Sequence, residues 1–273
     1  MRFDNCVLIR GGGDLASGVA LRLHRSGIRV LITELPQPLA VRRGVSFAEA
    51  VFEGSHQVEE VHAKFVEVNQ LEAWEEADVI PLIVDPEVSV LSKYHFPVVV
   101  DARLLKTSPH PLPTRIPLHI GLGPGFTAGS DCHAVIETRR SHTLGHVYWK
   151  GTTQPDTGEP EGDPRRVLRS PMEGTLISHA QIGEHLPEGQ LIAEIRLGAG
   201  NQNCEITSPF DGVLRGLIRD GSRVKKDMKI GDVDSRDDPS TCFLVSDKAL
   251  AIGGGVLEAI FSKTEIRKKI YSE

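Results

Sequence analysis

The chain has 273 residues, 40% of them apolar and 25% charged, with a formal net charge of −6, which excludes a disordered or collagen-like polymer. Neither half carries an excess of basic residues, and Lys263-x-x-x-Arg267-Lys268-Lys269 reads as a solvated helix end, so nucleic acid is not expected as the main partner. No apolar run approaches the roughly 20 residues that a bilayer crossing needs, so the expectation is a cytoplasmic chain with no membrane partner. Cys6, Cys132, Cys204 and Cys242 lie far apart with no Cys-x-x-Cys pairing, the pattern of reduced structural thiols.

Val7-Leu8-Ile9-Arg10 reads as a strand that breaks at Gly11-Gly12-Gly13, after which Leu15, Val19, Ala20 and Leu23 recur at helical spacing. In the frame Gly11-x-Gly13-x-x-Ala16 this order matches a dinucleotide fingerprint. The first glycine makes the turn, the second admits a pyrophosphate, and the small third residue lets helix and strand pack. Asp14 opens the helix, whose N-terminal N–H groups face the anion. Ile28–Thr33 reads as the next strand, with Glu34 at its tip to accept from a ribose diol. Arg42 and Arg43 meet either a 2′-phosphate or another anionic group, or stand as a solvated pair.

Val79–Asp85 and Phe96–Asp101 are apolar runs ending in aspartate, as buried parallel strands do. Their tips would share one crevice with Glu34, and Arg103 follows Asp101. Asp85 reads equally as a turn residue before Pro86. Gly121, Gly123 and Gly125 in Ile120–Phe126 form either a second loop for a phosphate or pterin-like group or a bulged turn, with Arg139 and Arg140 beyond it. His142-x-x-x-His146 with Cys132 and His133 lacks a flanking carboxylate, so no metal site is assigned.

From Ser170 an internal repeat sets in: Ser170-Pro171-Met172-Glu173-Gly174 returns 38 residues later as Ser208-Pro209-Phe210-Asp211-Gly212. Two such units facing each other would make a small β sandwich. The pattern resembles the halves of biotinyl and lipoyl carrier domains, the barrel-sandwich hybrid. Those carriers bear a lysine on the joining hairpin, but no lysine lies between Gly151 and Val224, so biotin or lipoyl attachment is excluded. The segment at the hairpin position is the glycine-rich Arg196–Asn201, and Gly151–Asp163 is the expected linker. Cys242–Lys248 reads as a strand and the residues from Gly253 as a helix folding back on the first domain. Ser246, Asp247 and Lys248 between them are site candidates or capping groups.

The expected fold class is therefore α/β: a Rossmann-like parallel-sheet domain over 1–150, a barrel-sandwich hybrid over 164–235, and a C-terminal strand and helix over 236–273.

Arg10–Gly18, Gly121–Phe126, Ile136–Arg139 and Ser246–Gly255 together resemble the YqeB family, accessory proteins of selenium-dependent molybdenum hydroxylase systems. The first domain is also similar in style to the XdhC-type chaperones of molybdenum cofactor. The resemblance implies a maturation or delivery role for a molybdopterin-type cofactor or its dinucleotide, with hydroxylase apoenzyme or cofactor-biosynthesis proteins as partners. It supplies no catalytic residues. In the leading expectation, pyrophosphate lies on Gly11–Ala16, and Asp14, Arg42, Arg43, Arg103, Arg139 and Lys248 complete the pocket. The alternatives are an NAD(P)-dependent oxidoreductase, with His119 and His133 as its only acid/base candidates, and a scaffold that docks the hydroxylase through the sandwich. A homo-oligomer is left open.

Overall fold

The computed structural model describes residues 3–156, 162–198 and 203–271. Two sequence readings fall partly outside them: Ala199–Asn201 of the glycine-rich hairpin segment and 157–161 of the linker. The chain divides into two compact units. The first comprises Met1–Pro38, Ser46–Thr157 and Val245–Glu273, and the second Leu39–Val45 and Gly158–Leu244.

In the first unit β1 (Cys6–Arg10), α1 (Asp14–Arg25) and β2 (Arg29–Glu34) form the strand, turn, helix and strand expected of the sequence. A four-residue helix, α2 (Ala50–Glu53), precedes β3 (Ser55–Val58), β4 (Val61–Phe65), β5 (Val79–Val84), β6 (Val98–Asp101), β7 (Leu118–Leu122), β8 (Ala134–Ile136) and β9 (Val147–Tyr148). These strands make one sheet in the order β3-β4-β5-β2-β1-β6-β7-β8-β9. Its interior pairings are parallel, while the edge pairs β3/β4 and β8/β9 are antiparallel.

This sheet corrects the expected Rossmann-like fold class. It is mixed, and of its crossovers only that from β1 to β2 is made by a full-length helix; the later ones run through loops, 3-10 turns and the single turn of α2. A doubly wound fold covers both faces with crossover helices. Here one face, through Leu8, Leu31, Ile83 and Val99, packs on side chains of connecting segments: Leu71, Trp74, Val90, Leu91 and Phe96. A helix from the far end of the chain, α3 (Asp247–Phe261), packs against α1. Its start also differs from the expectation. Cys242–Lys248 is not a strand: Ser246 caps α3, its hydroxyl accepting from the Ala249 N–H at 3.2 Å, and Gly253–Gly255 lie inside the helix. Gly253 and Gly255 serve the packing. A Cβ at Gly18 would lie 2.6 Å from the Ala249 methyl, and one at Gly253 would lie 3.0 Å from the Gly18 carbonyl. The chain then turns into α4 (Thr264–Ile270). No helix among the described residues is long and apolar enough to cross a membrane.

The second unit carries β10 (Val167–Arg169), β11 (Gly174–Ser178), β12 (His185–Leu186), β13 (Leu191–Arg196), β14 (Asn203–Thr207), β15 (Gly212–Leu217), β16 (Arg223–Val224) and β17 (Lys229–Asp234). The 38-residue offset maps β11–β13 onto β15–β17. They form two four-stranded antiparallel sheets, β10-β17-β15-β12 and β14-β13-β11-β16. Each sheet thus takes strands from both copies, which corrects the expectation of two repeat units facing each other as a biotinyl/lipoyl-like sandwich. The repeated glycine has a steric cause: a Cβ at Gly174 would lie 2.5 Å from the Arg196 carbonyl, and one at Gly212 would lie 2.6 Å from the equivalent carbonyl of Asp234. Leu176, Ile192, Ile195, Leu214, Ile230 and Val233 form the core of this unit.

Two glycine substitutions separate packing from propensity. Gly18→Val forces α1 and α3 apart and costs about 1–3 kcal/mol by overpacking. Gly254→Ala, where a Cβ meets nothing within 4 Å, gains about 0.5–1 kcal/mol of helix propensity. Denaturant unfolding of both variants reads the opposite signs.

Candidate functional site

In the first unit the carboxyl ends of β2, β1 and β6 lie side by side, because Thr33 and Asp101 both pair with Arg10 in register. Side chains at three adjacent tips therefore share one edge of the sheet. Gly11 takes a φ of +96°, which L side chains rarely adopt, and its N–H donates to the Thr33 carbonyl at 2.7 Å. The Gly12 N–H donates to Glu34 Oε2 at 2.6 Å, while the other oxygen of Glu34 accepts from the Leu35 N–H at 2.7 Å. Burial outweighs these two hydrogen bonds and raises the Glu34 pKa. Glu34 thus pins the glycine turn, and each of its oxygens retains acceptor capacity toward a diol.

The three glycines have different work. The Gly12 carbonyl accepts from the Ala48 N–H at 2.8 Å and from the Ser17 hydroxyl at 3.0 Å, and a Cβ there would lie 3.0 Å from the Ala48 nitrogen. Gly12 is a packing glycine. Gly13 is not: it stands at the N-cap of α1 with no side-chain cap, in ordinary extended backbone, and a Cβ there meets nothing within 4 Å. Asp14 occupies the first turn of α1 and Ala16 is buried behind it. The first N–H groups of a helix have no intrahelical partner, so Gly13 leaves the positive end of α1 open to approach.

Asp101 is wholly buried and holds two guanidinium groups. Arg103 binds it in a fork, Nε to Oδ1 at 2.8 Å and Nη2 to Oδ2 at 2.6 Å, and Arg10 Nη1 donates to Oδ2 at 3.1 Å. Arg10 also donates to the Pro86 carbonyl at 3.3 Å. The side chain of Arg103 is one-third exposed, that of Arg10 8%. Arg10, absent from the sequence-derived set, was signalled only by its place as the last residue of an apolar strand. Beside this group His119 is buried in β7, edge-on to the Phe126 ring, with its backbone N–H donating to His133 Nδ1 at 2.9 Å. Burial pushes its pKa down to about 4, so the imidazole is neutral. Its Nε2 has no hydrogen-bond partner among the described residues.

The other expected site residues do not join this group. Gly121 and Gly125 are packing glycines, since a Cβ at the first would run into the Phe126 ring and one at the second into the Leu105 carbonyl. Gly123, with φ +84°, donates its N–H to the Ile136 carbonyl at 3.1 Å. The loop closes on its own neighbours, as a bulged turn does. Asp85 caps the following turn, accepting from the Ser89 and Val90 N–H groups at 2.9 Å each. Arg139 is exposed, and its N–H donates to the buried Glu137 carboxylate at 2.8 Å. Lys248 lies in the first turn of α3, next to Asp247, which pairs with Arg140. Arg42 and Arg43 belong to the second unit: Arg42 donates to the Leu244 carbonyl at 3.0 Å and Arg43 to the Leu217 carbonyl at 2.8 Å. Among the described residues no three His, Cys, Asp or Glu side chains gather as metal ligands.

No family model matches the chain. It is 45% identical over 260 residues to YqeB of Escherichia coli, described as an uncharacterized protein, in a match that covers 93% of this chain and 47% of YqeB. The chain is thus related to YqeB over nearly its whole length and spans about half the length of that curated relative. Among solved structures, the apo ectoine utilization protein EutE (DoeB) from Ruegeria pomeroyi matches at 10% identity and TM-score 0.27, over 83% of this chain and 85% of that one. An aspartoacylase family protein from Mesorhizobium loti matches at 10% identity and TM-score 0.28, over 84% of each chain. Neither is a dinucleotide-binding or carrier domain by name, and scores this low establish no shared fold.

Two changes probe the buried polar group. Asp101→Asn leaves Arg10 buried beside a neutral amide and costs about 3–5 kcal/mol, read as a lower denaturation midpoint. His119 binds its proton more weakly folded than unfolded, so its contribution is complete above its ordinary value of 6.5 and is lost as pH falls toward about 4. That loss amounts to about 3 kcal/mol over the window. Unfolding free energies from pH 7 to pH 4 show the slope in the wild type and a flatter one in His119→Gln.

Proposed function

Taking its relation to YqeB over 93% of the chain as the premise, we propose that this protein is a cytoplasmic accessory factor that binds a molybdopterin-type cofactor, or its dinucleotide, for a selenium-dependent molybdenum hydroxylase. One observation carries the reading: the uncapped, open N-terminus of α1 at Gly13, set between a carboxylate at the β2 tip and a guanidinium at the β6 tip. The residues fit a group that carries both phosphate and a diol. Gly13 and the first turn of α1 would take the phosphate, Arg103 would add a partly exposed cation, and Glu34 would accept from the hydroxyls. The redox chemistry belongs to the cofactor. The chain's own residues bind and orient: Asp101 fixes the fork of Arg103, and Glu34 fixes the turn that presents Gly13. The second unit would serve in docking the hydroxylase apoenzyme or a cofactor-biosynthesis protein.

The competing reading, an NAD(P)-dependent oxidoreductase, draws on His119, whose neutral imidazole with an unpartnered Nε2 has the acceptor lone pair a general base needs. Thermal melts against molybdopterin dinucleotide, NADH, NADPH and CTP separate the two. A ligand that binds only the native state at a hundred times its Kd adds about 2.7 kcal/mol. The proposal expects a shift with the molybdopterin species and its loss in Gly13→Ala, whose methyl intrudes on the ligand but on no protein atom, at unchanged apo stability. A shift with NADH or NADPH alone, or a molybdopterin shift that survives Gly13→Ala, overturns it.

A further inference from the structure

The second unit contains a buried guanidinium for which the repeat has no use. Arg215 lies in β15, where the pairing with β17 slips: Leu214 faces Val233 and Gly216 faces Asp232, so Arg215 is the extra residue of a bulge. Bulges re-aim side chains. The equivalent position in the first copy is Ile177, in β11, whose pairing with β13 runs without a slip from Thr175 to Ser178. The architecture is therefore built once with an isoleucine in regular pairing, the irregularity falling later where the His179 and Ala180 N–H groups share the Ile192 carbonyl, and once with an arginine as the bulge residue itself.

That arginine is poorly satisfied. Its side chain is 14% exposed, and its nearest carboxylate oxygens, on Asp234 and Asp232, stand 3.8 and 4.0 Å away, beyond hydrogen-bond reach. Both carboxylates are engaged elsewhere. Arg166 forks onto Asp232 at 2.9 and 3.2 Å, and Arg236 onto Asp234 at 2.6 and 3.0 Å. The buried Nε of Arg215 has no partner among the described residues. A second guanidinium is held close by. The segment Leu39–Val45 lies against β15 because Gly216 has no side chain, a Cβ there falling 2.7 Å from the Val41 carbonyl, and because Arg43 clamps onto the Leu217 carbonyl at 2.8 Å. This brings Arg42 near enough to Arg215 to oppose its charge. Burying a cation without hydrogen bonds is costly, and setting another beside it adds to the cost. An oxyanion between them removes both penalties.

We propose that Arg215, with Arg42, forms a binding site for a phosphate-type oxyanion in the second unit, separate from the Gly13 site. Paired guanidinium forks match the oxygens of a phosphoryl group. The group is either free phosphate or the phosphoryl end of a larger molecule.

The test follows the Arg215 Nε–H resonance of the 15N-labelled full chain, assigned by its loss in Arg215→Lys, during titration at constant ionic strength. The expected result is a saturable shift with inorganic phosphate, absent with chloride or acetate, and weakened about tenfold or more in Arg215→Lys as read by phosphorus line broadening. Cytidine monophosphate in place of phosphate distinguishes the sources: equal affinity means a bare phosphoryl group is read, and tighter binding means a carrier molecule. Gly13→Ala leaves the response unchanged, so failure here and failure at the first site are told apart. If Arg215→Lys does not fold, Arg215→Gln supplies the assignment by the same loss of signal, and the wild-type titration decides. A resonance that moves no more in phosphate than in chloride or acetate, as it would with only bridging water beside it, overturns the proposal.

Discussion

A carboxylate with no exposure to solvent must be paired, and at Asp101 the pairing fixes much of the first unit. Its two partners come from different places: Arg10 ends the neighbouring strand, and Arg103 lies two residues on in the same chain segment. The Arg10 contact ties the tips of β1 and β6 where their ladder ends, and Arg10 reaches further to the Pro86 carbonyl beyond β5. With these tips fixed, the turn that leaves β1 has one exit, and Glu34 holds it from the other side through the Gly12 N–H. The opening at Gly13 is what remains between two carboxylates already engaged with protein donors. A ligand bound there, as proposed, would meet groups already held in place and cost little ordering.

The same economy explains why the carboxylates, which look like ligand groups in the sequence, spend most of their capacity on the protein. Asp101 serves a ligand only through Arg103, and Asp85 only caps a turn. Direct contact is left to backbone N–H groups and to one partly exposed guanidinium. That set suits an anion. His119 is the exception, and its neutral, buried state makes it an acceptor.

Local signals were legible in the sequence, and distant ones were not. β1, α1 and β2 follow from a strand, a glycine turn and a helical period within 30 residues, and the 38-residue offset recurs in the strands of the second unit. The fold class failed because it assumed that each parallel strand is followed by a helix. The segments after β5 and β6, residues 85–97 and 102–117, are broken by Pro and Ser, so the sheet's second face is covered by loop residues such as Leu91 and Phe96, with no periodicity to betray them. Gly121 and Gly125 look like an anion loop because close approach demands glycine whether the neighbour is a phosphate or a phenyl ring. Nothing in the composition of Leu39–Val45 shows that it belongs with β15, since the contact depends on Gly216, about 175 residues away in the chain by the ordinary long-range closure of a domain.

Internal repetition supplies a comparison within one molecule. Where both copies keep a residue, a shared steric cause is at hand, as with Gly174 and Gly212 against equivalent carbonyls. Where they differ, the shared architecture alone does not give the cause. Ile177 and Arg215 occupy equivalent positions in strands of the same unit, and only the second is itself a bulge residue with a neighbouring guanidinium. The first copy places a partly buried isoleucine at that position, and the second a guanidinium. A guanidinium held 3.8 and 4.0 Å from its nearest carboxylate oxygens keeps donors directed at an acceptor other than those carboxylates.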